Sequence, residues 1–121
     1  MPFSATGRIF QAYFYKTRAG NEPVRDFLND QTKEDKTILG KDIDKVQIGG
    51  PAIGKPTVDG LGGGLYEIRS TIFNGTKEVR ILFTIESNYL VLLHAFTKTT
   101  KKTPKHEIET ARNRMANAKR R

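Results

Sequence analysis

Three cationic side chains in the second half of the chain are candidates for chemistry at a phosphate group. Arg69 and Arg80 lie in two neighbouring strand-like segments, and Lys98 follows a third. Guanidinium and ammonium groups that are held in place before a reaction stabilise the charge that develops at a phosphorus atom, and they need no metal ion. Whether these residues can act together depends on the strands that carry them.

The two segments with the arginines are predicted to form a β-hairpin. They cover residues 65–73 and 77–85. Asn74-Gly75 between them is the dipeptide most typical of a tight hairpin turn. With a two-residue turn at this position, Arg69 lies directly opposite Arg80. Like charges directly across a ladder destabilise the pairing, so this pair requires an explanation.

Two explanations for the opposed arginines stay open at this point. They share a bound anion, or separate carboxylates, such as those of Glu67 and Glu78, neutralise them. The same register places Arg80 on the face of the hairpin away from Ile68 and Ile81. We therefore expect that loss of the Arg80 side chain opens no cavity in the core.

A third strand, residues 88–96, is predicted to pair with the second strand of the hairpin. With a two-residue turn before it, Thr97 lies near Glu78, and Lys98 emerges at the end of the sheet that holds both arginines. This strand is apolar at nearly every position. Alternation therefore does not reveal which face His94 or Lys98 takes.

The remaining segments predict helices packed on this sheet. They are a first strand over 8–15, a short helix capped by Asn21, a second helix opened by Thr32 and Asp35, a loop over 51–64, and a C-terminal helix opened by Thr103-Pro104. The order of elements indicates an α+β fold with helices on an antiparallel sheet. We expect a single domain over residues 1–121.

The glycines at positions 60, 62, 63 and 64 do not form a nucleotide-binding motif. A dinucleotide fingerprint places its glycines between a strand and a helix, and a P-loop continues into Gly-Lys-Ser/Thr. Here the glycines precede a strand, and no such lysine follows. They are predicted to supply positive φ angles or close backbone approach where the chain enters the sheet.

Composition excludes several other kinds of site. The chain has no cysteine, and His94 and His106 belong to no set of ligands with metal-binding spacing, so neither a metal nor a cofactor is expected. The N-terminus lacks the apolar core of a signal peptide. The longest apolar run, residues 89–96, is far shorter than the roughly 20 residues of a membrane span. We expect a cytoplasmic protein without a membrane partner.

The net charge of +8 is concentrated near the C-terminus. Residues 97–121 hold nine Lys/Arg and two Asp/Glu, whereas residues 1–96 hold twelve and eleven. Such a patch is typical of proteins that bind a polyanion, with nucleic acid first among the candidates. A solvated basic helix is the alternative. Lys101, Lys102 and Lys105 are the candidate RNA-binding residues.

Several segments resemble the RelE/HigB toxins of bacterial and phage toxin–antitoxin systems, in the phage-derived HigB-like branch. These segments are GLYEIRS, VRILF and LLHAFTKTTKKTPKHEIETA, preceded by PVRDFL. The resemblance covers roughly residues 22–112. It implies a RelE-like fold, in which N-terminal helices and a C-terminal helix pack on a small antiparallel sheet.

The resemblance also implies a function. It is that of an mRNA interferase, a metal-independent endoribonuclease that cleaves messenger RNA on the ribosome and is silenced by a HigA-like helix-turn-helix antitoxin. Carried over by position, Arg69, Arg80 and Lys98 are the implied catalytic residues. The lysine that usually follows the last of these in the family is Thr99 here. A ParE-like toxin that poisons DNA gyrase and a non-catalytic nucleic-acid-binding module are the alternatives.

Overall fold

A computed structural model of the chain describes residues 8–119, which contain one five-stranded sheet and three α-helices. The strands are β1 Gln11–Phe14, β2 Val58–Gly62, β3 Leu65–Ile72, β4 Lys77–Glu86 and β5 Tyr89–Lys98. The helices are α1 Pro23–Asn29, α2 Lys33–Gly49 and α3 Lys105–Lys119, with a 3-10 turn at Gly50–Ile53. Across the sheet the strand order is β1-β5-β4-β3-β2. No helix within residues 8–119 is long and apolar enough to cross a membrane.

The α+β architecture is confirmed, but the sheet is mixed rather than antiparallel. β1 runs parallel to β5 at one edge, whereas the other neighbours are antiparallel. β1 is also shorter than the predicted 8–15, because the amides of Ile9 and Phe10 donate to the carbonyl of Gln47 at the end of α2. The Gln47 side chain accepts from the amide of Ala12 at 2.8 Å. The aromatic composition of this segment indicates a strand but carries no information about its direction.

The predicted loop over 51–64 is wrong in its second half, where β2 forms the other edge of the sheet. Val58 is buried opposite Ile68 of β3 and so anchors the strand. Glycine-rich composition concealed β2, because glycine disfavours strands. The prediction of positive φ is confirmed in the hairpin between β2 and β3, where the three glycines at positions 62, 63 and 64 have φ angles of 90°, 63° and 84°.

The two faces of the sheet carry separate apolar cores. On the first face, α1 and α2 bury Val24, Leu28, Leu39, Ile43 and Val46 against Ile68, Ile81 and Phe83. On the second face, α3 packs on Leu65, Leu82, Leu93 and Phe96 through an apolar stripe of Ile108, Ala111, Met115 and Ala118. The candidate site lies on the second face, the one covered by α3.

Among the predicted N-terminal caps, that of α2 is confirmed and that of α1 is wrong. Thr32 accepts a hydrogen bond from the amide of Asp35 at 3.2 Å, as a capping residue of α2 should. The Asp35 carboxylate instead accepts from the amide of Phe73 at 3.0 Å and so ties the helix to the β3–β4 turn. In α1 the capping position is Glu22, not Asn21, and its side chain makes no capping bond.

The predicted register of the central hairpin is confirmed. Ile68 pairs with Ile81, and Arg69 pairs with Arg80. The connection is longer than predicted, because β3 ends at Ile72 and β4 begins at Lys77, leaving a four-residue turn. Two non-glycine residues of this turn have positive φ, and the pairing of the strands is unchanged.

Candidate functional site

A β-bulge in β5 determines which of its side chains face the two arginines. The pairing of β4 with β5 shifts by one residue between Leu82 and Phe83, and Leu93 is the extra residue on β5. Because side chains alternate across a strand, one inserted residue moves every later side chain to the opposite face. The bulge therefore determines the orientation of the C-terminal half of β5.

The bulge corrects the predicted position of Lys98. Lys98 pairs with Glu78, whereas the unbulged strand would place Thr97 there. Phe96 in turn pairs with Arg80. Since residues two apart share a face, Lys98 lies on the same face as Arg80. Alternation in the sequence had left this orientation open.

The predicted catalytic residues line one cleft between the sheet and the loop that leads into α3. This cationic cleft has a volume of about 340 Å³. Its charged lining consists of Arg69, Arg80, Lys98, Lys101 and Lys102, together with the carboxylates of Asp59 and Glu67. Lys105 is exposed at the first position of α3 and is not part of the lining. Five cations against two carboxylates leave the cleft positive, as an anion site requires.

Arg80 forms the floor of the cleft and is only 2% exposed. Its Nη1 lies 3.2 Å from a carboxylate oxygen of Glu78 and donates to the carbonyl of Val79. Its Nε lies 3.8 Å from Glu67 Oε2 and has no hydrogen-bond partner in the described residues. The expectation that loss of Arg80 opens no cavity is therefore wrong, because the strands and loop on this face enclose the side chain.

Glu67 and Thr103 connect the sheet to the basic loop, which is the segment 99–104 between β5 and α3. Sequence reasoning missed this contact. Glu67 is buried, and its Oε1 accepts from the Thr103 hydroxyl at 2.6 Å. Thr103 was predicted to cap α3; instead the helix begins at Lys105, where the carbonyl of Pro104 accepts from the amides of the first turn. This hydrogen bond holds the loop against the sheet, where the loop forms one wall of the cleft.

Arg69 differs from Arg80 in having no partner of its own. Within the part of the chain that the structure describes, its side chain makes no hydrogen bond or ion pair. It lies between the cationic cleft and a second cavity of about 350 Å³, which Asp42 and Glu78 also line. Carboxylate neutralisation thus accounts for Arg80 and not for Arg69, whose guanidinium is available to an external anion.

Glu78 holds a negative charge beside the cleft. The hydroxyl of Thr71 donates to its Oε2 at 2.8 Å, and this bond is the main cause of a lowered pKa for the Glu78 carboxyl. The charges of Arg80 and Lys98 lower the same pKa further, against the opposing effect of burial. The Lys98 ammonium donates to the carbonyl of Lys101, which folds the basic loop back over β5.

His94 belongs to a network between β5 and α3. Its Nε2 lies 2.6 Å from Glu107 Oε1, and its Nδ1 lies 3.1 Å from Nη1 of Arg114. Arg114 also donates to the carbonyl of Leu93 at 2.9 Å, and burial lowers the pKa of its guanidinium. His106 is exposed on the first turn of α3. Within residues 8–119 no group of His, Cys, Asp and Glu has the arrangement of a metal site.

The α+β fold with a cationic cleft at one end of its sheet is compatible with the RelE-like class of small proteins. The model of the phage-derived Gp49-like protein family matches residues 26–116, which is most of the chain, and the chain belongs to this family. The family is associated with RelE/HigB-like toxins of toxin–antitoxin systems, and this association implies an antitoxin partner. None of the curated proteins compared with the chain matches it.

Proposed function

We propose that the protein is the toxin of a type II toxin–antitoxin pair and cleaves messenger RNA on the ribosome as a metal-independent endoribonuclease. One observation carries the proposal. Arg69, Arg80 and Lys98 come from three strands and meet in one cleft, where Arg69 has no partner among residues 8–119. A site built only to stabilise the fold would pair such a cation, because an unpaired charge held beside other cations is unfavourable.

The chemistry assigned to the cleft is attack of a ribose 2′-hydroxyl on the adjacent phosphate. The 2′-oxygen loses its proton to solvent water and forms a bond to phosphorus, the bond to the 5′-oxygen breaks, and the products are a 2′,3′-cyclic phosphate and a 5′-hydroxyl. Arg69 donates to the two non-bridging oxygens as a planar fork. Lys98 supplies the proton for the leaving 5′-oxygen, and Arg80 contributes positive potential from the floor of the cleft.

Binding of the RNA strand is assigned to the lysines of the loop and of the start of α3. Lys101 and Lys102 line the cleft, and Lys105 lies exposed just beyond it. Each contact with a phosphate releases counterions and adds affinity without reading sequence. In the cell, a HigA-like helix-turn-helix antitoxin holds the toxin inactive in the cytoplasm, where ribosomes are available.

The test compares how fast Arg69 variants of the protein cleave messenger RNA that is bound to ribosomes. Cleavage is mapped by primer extension, and the new ends are assayed for a cyclic phosphate. Arg69→Ala is expected to lower the cleavage rate about 10²–10³-fold, the usual effect of removing one charge stabiliser. Arg69→Lys should recover only part of the cleavage rate, because a point charge cannot replace a bidentate fork. Arg25→Ala, at an exposed arginine of α1, is the matched control and should cleave normally.

Two results would point to the alternative functions. If induction of the wild-type protein stops DNA synthesis first and leaves messenger intact, the protein is a gyrase poison. If purified protein binds RNA and leaves it uncut on the ribosome, the cleft is a binding module. Equal cleavage by wild type and Arg69→Ala, with both folded, would remove Arg69 from the site.

A further inference from the structure

The β-bulge at Leu93 places Lys98 in the cationic cleft, and a single arginine of α3 contacts that bulge. Nη1 of Arg114 donates to the carbonyl of Leu93 at 2.9 Å and lies 3.1 Å from Nδ1 of His94, the next residue. Leu93 is completely buried. A buried carbonyl requires a hydrogen-bond partner, and a bulge leaves its extra residue without a regular place in the ladder.

We propose that Arg114 is a positioning residue, which fixes the β-bulge of β5 through Leu93 and His94 and thereby sets Lys98 on the face of the cationic cleft. The effect on cleavage rests on the function proposed above. The effect on strand register does not, and it can be measured separately.

Glu107 completes the contact from the same side of α3. A guanidinium can only donate, so Nδ1 of His94 accepts from Arg114, and the Nε2–H group donates a hydrogen bond to Glu107. Glu107 and Arg114 are seven residues apart, which is close to two turns and places both on one side of the helix. α3 thus holds the imidazole at both nitrogens and fixes its orientation on the strand.

A strand with this sequence has a competing register. Every residue from Tyr89 to Phe96 is apolar apart from His94, so both faces of the strand satisfy the cores equally well. Weakly specified strands of this kind are prone to slip by one residue. Without the bulge, Lys98 would turn toward the face of α1 and α2. A contact that is satisfied only in the bulged form is therefore needed to select it.

Burial supports a specific role for Arg114. Burial lowers the pKa of its guanidinium, which means that this position costs the charged group solvation. An arginine with no contacts on the sheet would gain nothing in return. Arg112, two residues earlier, differs in its contacts: it donates to the carbonyls of Leu61 and Gly62 in β2. The two arginines attach α3 to opposite parts of the sheet, and only Arg114 contacts the bulge.

Register can be measured with engineered disulfides, because the chain contains no cysteine. The double variant Glu78→Cys/Lys98→Cys joins residues that are opposite in the bulged strand. The double variant Glu78→Cys/Thr97→Cys joins residues that would be opposite without the bulge. Directly opposed positions have the separation that a disulfide requires, whereas side chains on opposite faces cannot meet. Only the first pair should close when Arg114 is present.

Arg114→Met keeps the apolar stem and removes the guanidinium, and with it the hydrogen bonds to Leu93 and His94. We expect the 78–97 pair to close in its double variant, and the 78–98 pair to close less completely in the other. In the cysteine-free background, kcat should fall at least about tenfold with KM changed less than about threefold, because Lys98 is displaced while the loop lysines remain. Arg114→Lys keeps a cationic donor group but loses the planar guanidinium, and it should give an intermediate result in both measurements. Arg112→Met is the matched control and should keep the 78–98 disulfide.

The outcomes separate the inference from the proposed function. Exclusive formation of the 78–98 disulfide in Arg114→Met would overturn the inference, whatever the activity. Should Arg114→Met fail to unfold cooperatively, Arg114→Lys decides in the same way: closure of the disulfide in both double variants supports the inference, and closure of the 78–98 pair alone overturns it. If the wild-type protein cleaves no RNA, the proposed function fails, and the disulfides still report whether Arg114 sets the register.

Discussion

At the scale of single residues, Arg69 and Arg80 lie opposite each other on two paired strands, but their environments differ. Arg80 lies on the central strand β4 and is covered, so its charge must be compensated inside the protein. The carboxylates of Glu78 and Glu67 do this. Arg69 lies one strand nearer the edge and meets solvent. The repulsion between the two guanidinium groups is therefore offset on one side only, which leaves Arg69 for an anion.

The first prediction concerns Arg80 as a buried charge. Arg80→Ala removes the largest fully buried side chain and leaves the buried carboxylate of Glu67 without a cation. Removal of one partner from a buried ion pair costs about 3–5 kcal/mol. The free energy of unfolding from urea titration should fall by this amount.

A double variant separates charge from packing. Arg80→Met/Glu67→Gln removes both charges, keeps an acceptor for Thr103, and fills most of the space. It should recover at least half of the lost stability, because no unpaired charge remains buried. A folded Arg80→Ala with wild-type stability would contradict the enclosure of this side chain.

The second prediction concerns the pH dependence that Glu78 contributes. Its pKa in the folded protein lies below the ordinary 4.5 because of the Thr71 hydrogen bond. A lowered folded pKa adds stability that is present above the ordinary value and is lost as the pH falls through the folded value. The stability difference between wild type and Glu78→Gln should therefore shrink from pH 7 to pH 3.

The size of this effect is limited by solvent. The Glu78 side chain is 47% exposed, and exposed ion pairs contribute below about 1 kcal/mol. Thr71→Val removes the main cause of the lowered pKa and should flatten the dependence. A difference between wild type and Glu78→Gln that grows toward pH 3 would show that folding raises, rather than lowers, the pKa of this carboxyl.

At the scale of elements, the sequence predicted structure where local chemistry decides it. The Asn74-Gly75 turn and the alternation of β3 and β4 were sufficient to place Arg69 opposite Arg80. β5 gave no such information, because it is apolar on both faces, and its bulge depends on a contact with α3 that lies 21 residues away in the chain. The contact between Thr103 and Glu67 escaped prediction for the same reason, because these residues are 36 apart in the chain and meet only in the folded state.

The third prediction concerns the hairpin between β2 and β3. Gly64 has a φ of 84°, and a Cβ there would find no atom closer than 4.0 Å, so only backbone strain opposes a side chain. Gly64→Ala should cost about 1–2 kcal/mol. Gly60→Ala, in the same glycine-rich stretch but without positive φ, should be close to neutral, since its Cβ would meet only Tyr66 at 3.9 Å. Equal thermal shifts in the two variants would exclude φ strain as the cause.

At the scale of the whole molecule, the cationic cleft lies on one face of the sheet, and each face has its own apolar core. α1 and α2 cover one face, and α3 with the basic loop covers the other, where the cationic cleft opens. The excess of positive charge thus lies on one side and at one end. Such an arrangement orients the protein toward a polyanion before contact. It also predicts that the loop lysines act on binding, while the strand residues Arg69 and Lys98 act on the reaction.

The last prediction tests this division with Lys101 and Lys102, which line the cleft from the loop. Lys101→Gln/Lys102→Gln should weaken binding of RNA, and the slope of log affinity against log salt should fall by about 1.4, since each phosphate contact with a single strand contributes about 0.7. Cleavage at saturating substrate should stay within about threefold of wild type, because Arg69 and Lys98 are untouched. Lys33→Gln/Lys41→Gln removes the same charge from exposed positions of α2, on the opposite face, and serves as the control.

Affinity would be measured by fluorescence anisotropy from 50 to 300 mM salt, and turnover would be measured on loaded ribosomes. An equal loss of slope in the control would mean that net charge, rather than the loop, binds the RNA; a loss of turnover with unchanged affinity would place these lysines in the reaction itself.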